Sequence, residues 1–182
     1  VLRLLNALPA DYPIPVLVVQ HIAAGFTDGM ASWLDRSVQI PVAVASDGMP
    51  VTPGAWLAPE GAHLMISDGR LRLDRETIAG RHRPSGDMLF RSIAGVAGRT
   101  GVAVVLSGMG RDGATGAALV REAGGLAIAQ DEASSAVFGM PKAAIERGVD
   151  LVMSPGEIAL CLAGLRPEPL PDARPDQLAG EL

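Results

Sequence analysis

Aromatic residues are nearly absent from this chain of 182 residues, which holds two Trp, one Tyr and three Phe. So few rings leave no stacking platform for single-stranded nucleic acid, and the core has to be built from aliphatic side chains. Basic charge is also scarce. The 15 Lys and Arg are outnumbered by 20 Asp and Glu, a formal net charge of -5. Phosphate backbones are held by concentrated Lys and Arg, so nucleic acid is excluded as a partner. Cysteine occurs once, as Cys161. A single thiol forms neither an internal disulfide nor a metal site, and its setting in Ile158-Ala159-Leu160-Cys161-Leu162 points to helix packing. The histidines, His21, His63 and His82, are scattered without metal-ligand spacing, and neither a metal nor an organic cofactor is expected. No apolar run approaches the roughly 20 residues of a membrane span, and no basic-then-apolar leader opens the sequence. These absences predict a protein that does not insert into a membrane and works in a reducing, cytoplasmic compartment.

What is present is aliphatic. Hydrophobic residues make up 48% and charged residues 19%, a palette of Val, Ile, Leu, Ala and Met that suits a parallel sheet buried on both faces. The length predicts one domain, over residues 1–165, followed by a Pro-rich flexible tail over 166–182. Val1, Leu4, Leu5 and Leu8 follow helical spacing, so the sequence opens inside a helix and a preceding segment is expected. Strands are predicted over 15–20, 42–45, 55–58, 63–67, 71–74, 101–106, 126–129 and 151–153. The third and fourth strands of the central region, 63–67 and 71–74, form a hairpin, because Asp68-Gly69 between them suits a type I′ turn. Helices are predicted over 27–37, with Thr27 as N-cap and Met30, Trp33 and Leu34 on one face; over 85–98, capped by Ser85, with Met88, Leu89, Ile93 and Val96 buried; and over 115–123, 141–147 and 156–165. The alternation predicts an α/β fold of three layers, a mostly parallel, doubly wound (Rossmann-like) sheet with a β-hairpin insertion.

Ligands of open parallel sheets bind outside the carboxyl ends of the strands. Two loops stand there: His21 follows the strand ending at Gln20, and Ser107-Gly108-Met109-Gly110-Arg111-Asp112-Gly113 follows the strand ending at Leu106. Parallel strands place His21 and Asp112 on one edge. Imidazole is the usual general base near neutral pH, and a carboxylate behind it fixes its tautomer. The same residues have plainer readings, His21 as an imidazole merely ending a strand and Asp112 as a cap of the helix that follows it. His63 and His82 read as structural or surface residues. A competing functional reading takes Gly108-x-Gly110-x-x-Gly113 as a dinucleotide fingerprint, with Asp131 near the end of the next strand. Against it, Asp112 would repel the pyrophosphate that a helix N-terminus attracts.

Several motifs, in order, resemble those of the CheB family of protein-glutamate methylesterases: Val18-Val19-Gln20-His21, Ala58-Pro59, Arg81-His82-Arg83-Pro84-Ser85, Leu106 through Ala114, Ala129-Gln130-Asp131-Glu132-Ala133-Ser134-Ser135 and Phe138-Gly139-Met140-Pro141. The resemblance implies the C-terminal catalytic domain of that family. It implies His21 as catalytic base, Asp112 as the acid that orients it, and the Met109 backbone N–H in the oxyanion hole. It also implies hydrolysis of glutamyl γ-methyl esters, and deamidation of glutamine, on the cytoplasmic helices of methylated chemoreceptors. Many members carry a receiver domain in the same polypeptide. The family's serine lies in a Gly-x-Ser-Thr-Gly-Gly turn after a first strand; neither is present here, so the serine is expected ahead of Val1 and this chain alone is expected to be inactive. Ser107 lacks the glycine two positions earlier that a nucleophile elbow needs. Ser107, Ser134 and Ser135 therefore read as loop hydrogen-bonders. A homologue that binds receptors without catalysis is the remaining alternative.

Overall fold

The computed structural model describes residues 1–77 and 82–166. The tail expected beyond Arg166 and the polar residues 79–81 lie outside the described residues. In chain order the elements are α1 (Leu2–Leu5), β1 (Pro15–Val18), α2 (Thr27–Asp35), β2 (Val42–Val44), β3 (Gly54–Leu57), β4 (His63–Ser67), β5 (Arg70–Asp74), α3 (Gly86–Ala97), β6 (Val102–Val105), α4 (Ala114–Glu122), β7 (Leu126–Gln130), α5 (Gly139–Arg147), β8 (Leu151–Met153) and α6 (Pro155–Gly164). The predicted α/β class and parallel pairing hold, with the parallel strands in two groups of three. One runs β1-β3-β2 and the other β6-β7-β8, while β4 and β5 form the expected antiparallel hairpin. Asp68 and Gly69 at its turn both have positive φ, 52° and 68°, as a type I′ turn demands.

Side-chain alternation explains the layers. Along β7, Ala127 and Ala129 face one cluster with Ala117, Val120 and Ala144 of α4 and α5, while Ile128 faces the opposite cluster with Leu4 and Ile158. Residues of a strand point alternately to the two faces, so a strand buried on both reads as a continuous apolar run. Small residues line the first face and let helices come close. At Gly116 of α4, an added Cβ would lie 2.7 Å from Phe90 Cβ and 2.8 Å from the Asp87 carbonyl oxygen, so only glycine admits α3 there.

The two strand groups are held side by side from above and below. Leu4 of α1 packs with the β6-β7-β8 group, whereas Leu5 and the following Leu8 pack with Val18 and Leu57 of the other group. On the other face, Phe90 and Ile93 of α3 touch both the α4 cluster and the hairpin cluster. Among the described residues, strands β1 and β6 each pair on one side only.

Three local expectations are corrected. Thr27 is the first helical residue rather than the N-cap, because Gly25 donates its N–H to Glu60 Oε2 at 2.8 Å and the chain turns before Phe26, whose carbonyl already accepts from Met30. Trp33 does not join Leu34 in the core. Leu34 is wholly buried, but Trp33 is half-exposed and lines a shallow apolar cleft with Ile22, Phe26 and Met30. On α3 only Leu89 of the four expected residues is fully buried. Helix α6 has a signal the sequence reading passed over, a capping box in which Ser154 and Glu157 satisfy one another's backbone N–H groups.

Candidate active site

The carboxyl ends of β1 and β6 bring together the two residues that the sequence placed there. His21 lies three residues beyond Val18, and its Nε2 is 2.8 Å from Asp112 Oδ2, a contact between residues 91 apart in sequence. Asp112 is well covered and His21 partly exposed, so the imidazole opens toward solvent while the carboxylate is shielded. His21 Nδ1 has no partner among the described residues.

Asp112 does not cap the helix that follows it. The N-cap of α4 is Gly113, in the left-handed region with φ 86°, and among the described residues no N-cap side chain bonds that helix. Instead the carboxylate reaches the start of α3. Gly86 N–H donates to Oδ2 at 2.6 Å, and Ser85 Oγ and Asp87 N–H donate to Oδ1 at 2.7 and 3.2 Å. Burial opposes charge on this group, but the hydrogen bonds from His21, the Gly86 N–H, Ser85 and the Asp87 N–H outweigh it and hold the carboxyl well below the usual carboxylate range. The positive end of α3 acts in the same direction. Ser85 occupies the expected N-cap position, yet its hydroxyl serves Asp112 rather than the helix.

Met109 lies in the same loop, its side chain 84% exposed. Its backbone N–H donates to no acceptor among the described residues, whereas the two preceding amides are taken: Ser107 N–H by Gln130 Oε1 at 2.8 Å and Gly108 N–H by the Val137 carbonyl at 2.9 Å. An unengaged backbone N–H is the kind of donor that an oxyanion requires. Ser107, Ser134 and Ser135 bond within the loops, Ser107 Oγ accepting from Val137 N–H at 3.0 Å and Ser135 Oγ donating to the Asp131 carbonyl at 2.7 Å.

The structure adds a neighbour that the sequence reading treated as a surface residue. The His82 ring packs on His21 with centroids 4.6 Å apart. His63 is a buried hairpin residue whose Nε2 meets the Thr77 carbonyl at 3.2 Å, away from the pair. Beside His21, Ile22, Ala23, Phe26, Gly29, Met30 and Trp33 line an apolar cleft of about 430 Å³. Among the described residues, no cluster of His, Cys, Asp and Glu is arranged to hold a metal ion, and no helix is long and apolar enough to cross a membrane.

The dinucleotide reading is not favoured. Gly86 of α3 packs against Gly113 at the start of α4, since a Cβ on Gly86 would lie 3.4 Å from Gly113 Cα. Protein therefore occupies the space a pyrophosphate would need. Asp131, the supposed ribose partner, is turned back on its own loop and accepts from the N–H and hydroxyl of Ser134.

The CheB methylesterase family model matches residues 1–162. The chain is 48% identical over 141 residues to protein-glutamate methylesterase/protein-glutamine glutaminase 4 of Myxococcus xanthus, an alignment covering 76% of this chain and 40% of that protein. It is 49% identical over 165 residues to the corresponding enzyme 3 of Anaeromyxobacter dehalogenans, covering 88% of this chain and 48% of the relative. It thus spans less than half the length of either relative. The crystal structure of the Thermotoga maritima CheB methylesterase catalytic domain superposes with a TM-score of 0.84 at 36% identity, covering 89% of each chain. On this agreement of family model, relatives and fold, the chain belongs to the CheB methylesterase family.

Proposed function

We propose that this domain hydrolyses γ-methyl esters of glutamyl side chains, and γ-amides of glutamine, on the cytoplasmic helices of chemoreceptors. The observation that carries the reading is the 2.8 Å contact between His21 Nε2 and Asp112 Oδ2, with the unengaged Met109 N–H on the same loop as the carboxylate. Asp112 holds the imidazole so that Nδ1 faces the reaction, and it stabilises the imidazolium once a proton arrives. A serine hydroxyl attacks the γ-carbonyl carbon and its proton passes to His21. The tetrahedral oxyanion accepts from Met109 N–H. The imidazolium then protonates the leaving ester oxygen, which departs as methanol, or the leaving amide nitrogen, which departs as ammonia, and water activated by His21 releases the acyl group as glutamate.

The serine comes from polypeptide ahead of Val1. The edges of β1 and β6 that no strand among the described residues pairs, bridged by α1 and α3, support a further parallel strand between them, whose carboxyl end would deliver a nucleophile beside His21. The apolar cleft at Ile22, Phe26 and Trp33 suits a protein surface rather than a small polar ester. The test is methanol release from methylated receptor, measured for residues 1–182, for the polypeptide extended upstream through that strand, and for the extended form with His21→Ala. Turnover that needs both the extension and His21 supports the reading. Equal turnover by residues 1–182 alone would refute the assignment of the nucleophile, and a folded, extended protein that binds receptor without turnover would favour a binding module.

A further inference from the structure

Gln130 ends β7, a strand otherwise made of Leu, Ala and Ile, and is itself only 5% exposed. A buried amide without partners is costly, and a strand needs none. Its hydrogen bonds show what it does. Oε1 accepts from Ser107 N–H at 2.8 Å, and Nε2 donates to the Ser134 carbonyl at 2.9 Å and to Ser134 Oγ at 3.2 Å. One side chain thus ties the loop after β6 to the loop after β7. The second loop then grips the first directly. Gly108 N–H donates to the Val137 carbonyl, and Met140 N–H donates to the Gly108 carbonyl at 2.8 Å. Backbone meets backbone at Gly139, where a Cβ would lie 3.0 Å from the Gly108 carbonyl oxygen and 3.1 Å from Gly110 N. Every polar backbone group of Ser107 and Gly108 that could turn the loop is engaged, except the Ser107 carbonyl, and Met109 N–H comes next.

We propose that Gln130, with the segment from Val137 to Met140, is a clamp that fixes the direction of the Met109 N–H, which makes Gln130 a positioning residue for oxyanion stabilisation. This rests on the reading of Met109 N–H as an oxyanion donor. Preorganisation is the reason such a clamp matters: a donor contributes in the transition state only if it already points at the developing charge. Loss of one donor costs about a hundred- to a thousand-fold in turnover, and a donor left in place but free to swing should cost about ten-fold or more, with KM nearly unchanged. Gln130→Leu removes all three bonds. Gln130→Glu keeps the acceptor for Ser107 N–H and loses the donor to Ser134, a milder change that guards against failure of the first variant to fold.

The experiment uses the complete natural polypeptide that contains this chain, labelled at backbone nitrogen and inactivated with a serine-directed phosphonate, whose tetrahedral oxygen mimics the intermediate. The Met109 amide proton should move downfield in the adduct of the unsubstituted protein. In Gln130→Leu the movement should shrink, amide exchange at Ser107 and Gly108 should rise about ten-fold or more while β6 and α4 stay protected, and kcat should fall with KM held; Gln130→Glu should lie between. A full Met109 shift and unchanged kcat in Gln130→Leu would overturn the clamp while leaving the oxyanion assignment intact. Absence of the shift in the unsubstituted adduct would remove the oxyanion assignment and the clamp with it.

Discussion

Gly86 donates its backbone N–H to Asp112 across 2.6 Å, so the carboxylate that holds His21 also closes the first turn of α3. The hold on His21 and the closing of the helix turn therefore share one side chain. Asp112→Asn keeps the size and removes the charge. An Asn oxygen cannot accept from His21, Ser85 and two amides as a carboxylate does, and its NH2 would face donors. Turnover of the complete enzyme should drop by on the order of 10⁴, the effect of presenting the wrong tautomer in serine-histidine-aspartate sites generally. Unfolding should become easier as well, by about 1–3 kcal/mol for donors left unpaired. Kinetics and thermal unfolding of the two proteins check both halves.

That double role was only half legible in the sequence. The parallel-strand pattern places His21 and Asp112 on one edge, because both follow apolar runs of strand length, and the Asp68-Gly69 turn and the two-sided burial of β7 were readable for the same local reasons. The plainer reading of Asp112, as a cap of the helix beside it, judges capping over a few residues, whereas its partners at Ser85, Gly86 and Asp87 lie 25 to 27 residues away. Gln130 and His82 were missed on similar grounds. Their motifs were visible, but what they touch depends on how separate loops meet at the sheet edge, and no periodicity encodes that.

Ser85→Ala isolates one donor to Asp112, the 2.7 Å bond from Ser85 Oγ. The folded carboxyl sits well below its unfolded value of about 3.9, so its contribution to stability is present above that pH and is lost as pH falls through the lower, folded value. With one bond gone the depression is smaller. The variant should lose stability near neutral pH; because the two unfolded chains titrate alike, its difference from the parent protein should stay constant through the unfolded value and narrow only as pH falls through the lower, folded values, where the variant's carboxyl takes up its proton first. Turnover should fall only a few-fold, because His21 and both amides remain. Thermal unfolding from pH 7 down to the acid limit of folding tests this; a difference that widens in acid would contradict it.

Gly116→Ala should disturb the site from a distance. The new methyl would stand 2.7 Å from Phe90 Cβ and 3.0 Å from Asp87 Cα, and neither is a flexible side-chain end. Helix α3 must shift away from α4, an overpacking that costs about 1–3 kcal/mol. Because the first turn of α3 supplies the donors to Asp112, the shift should also lower kcat. A variant with parental Tm and kcat would mean that the two helices slide without cost.

His82→Phe and His82→Ala separate packing from chemistry at the ring that covers His21. With centroids 4.6 Å apart, the His82 ring lies against the His21 ring, and packing there would favour orientations that keep Nε2 on Asp112. Aromatic pairs of this kind contribute about 0.5–1.5 kcal/mol beyond burial, which corresponds to roughly two- to ten-fold in the fraction of enzyme holding the productive geometry. If packing is the role, Phe should retain most of kcat and Ala should lose that factor, while the Tm values of the two variants stay close, because His82 itself is exposed. Equal losses in Phe and Ala would instead require an imidazole at this position, assigning His82 a proton or hydrogen bond in the reaction rather than a surface for His21 to rest on.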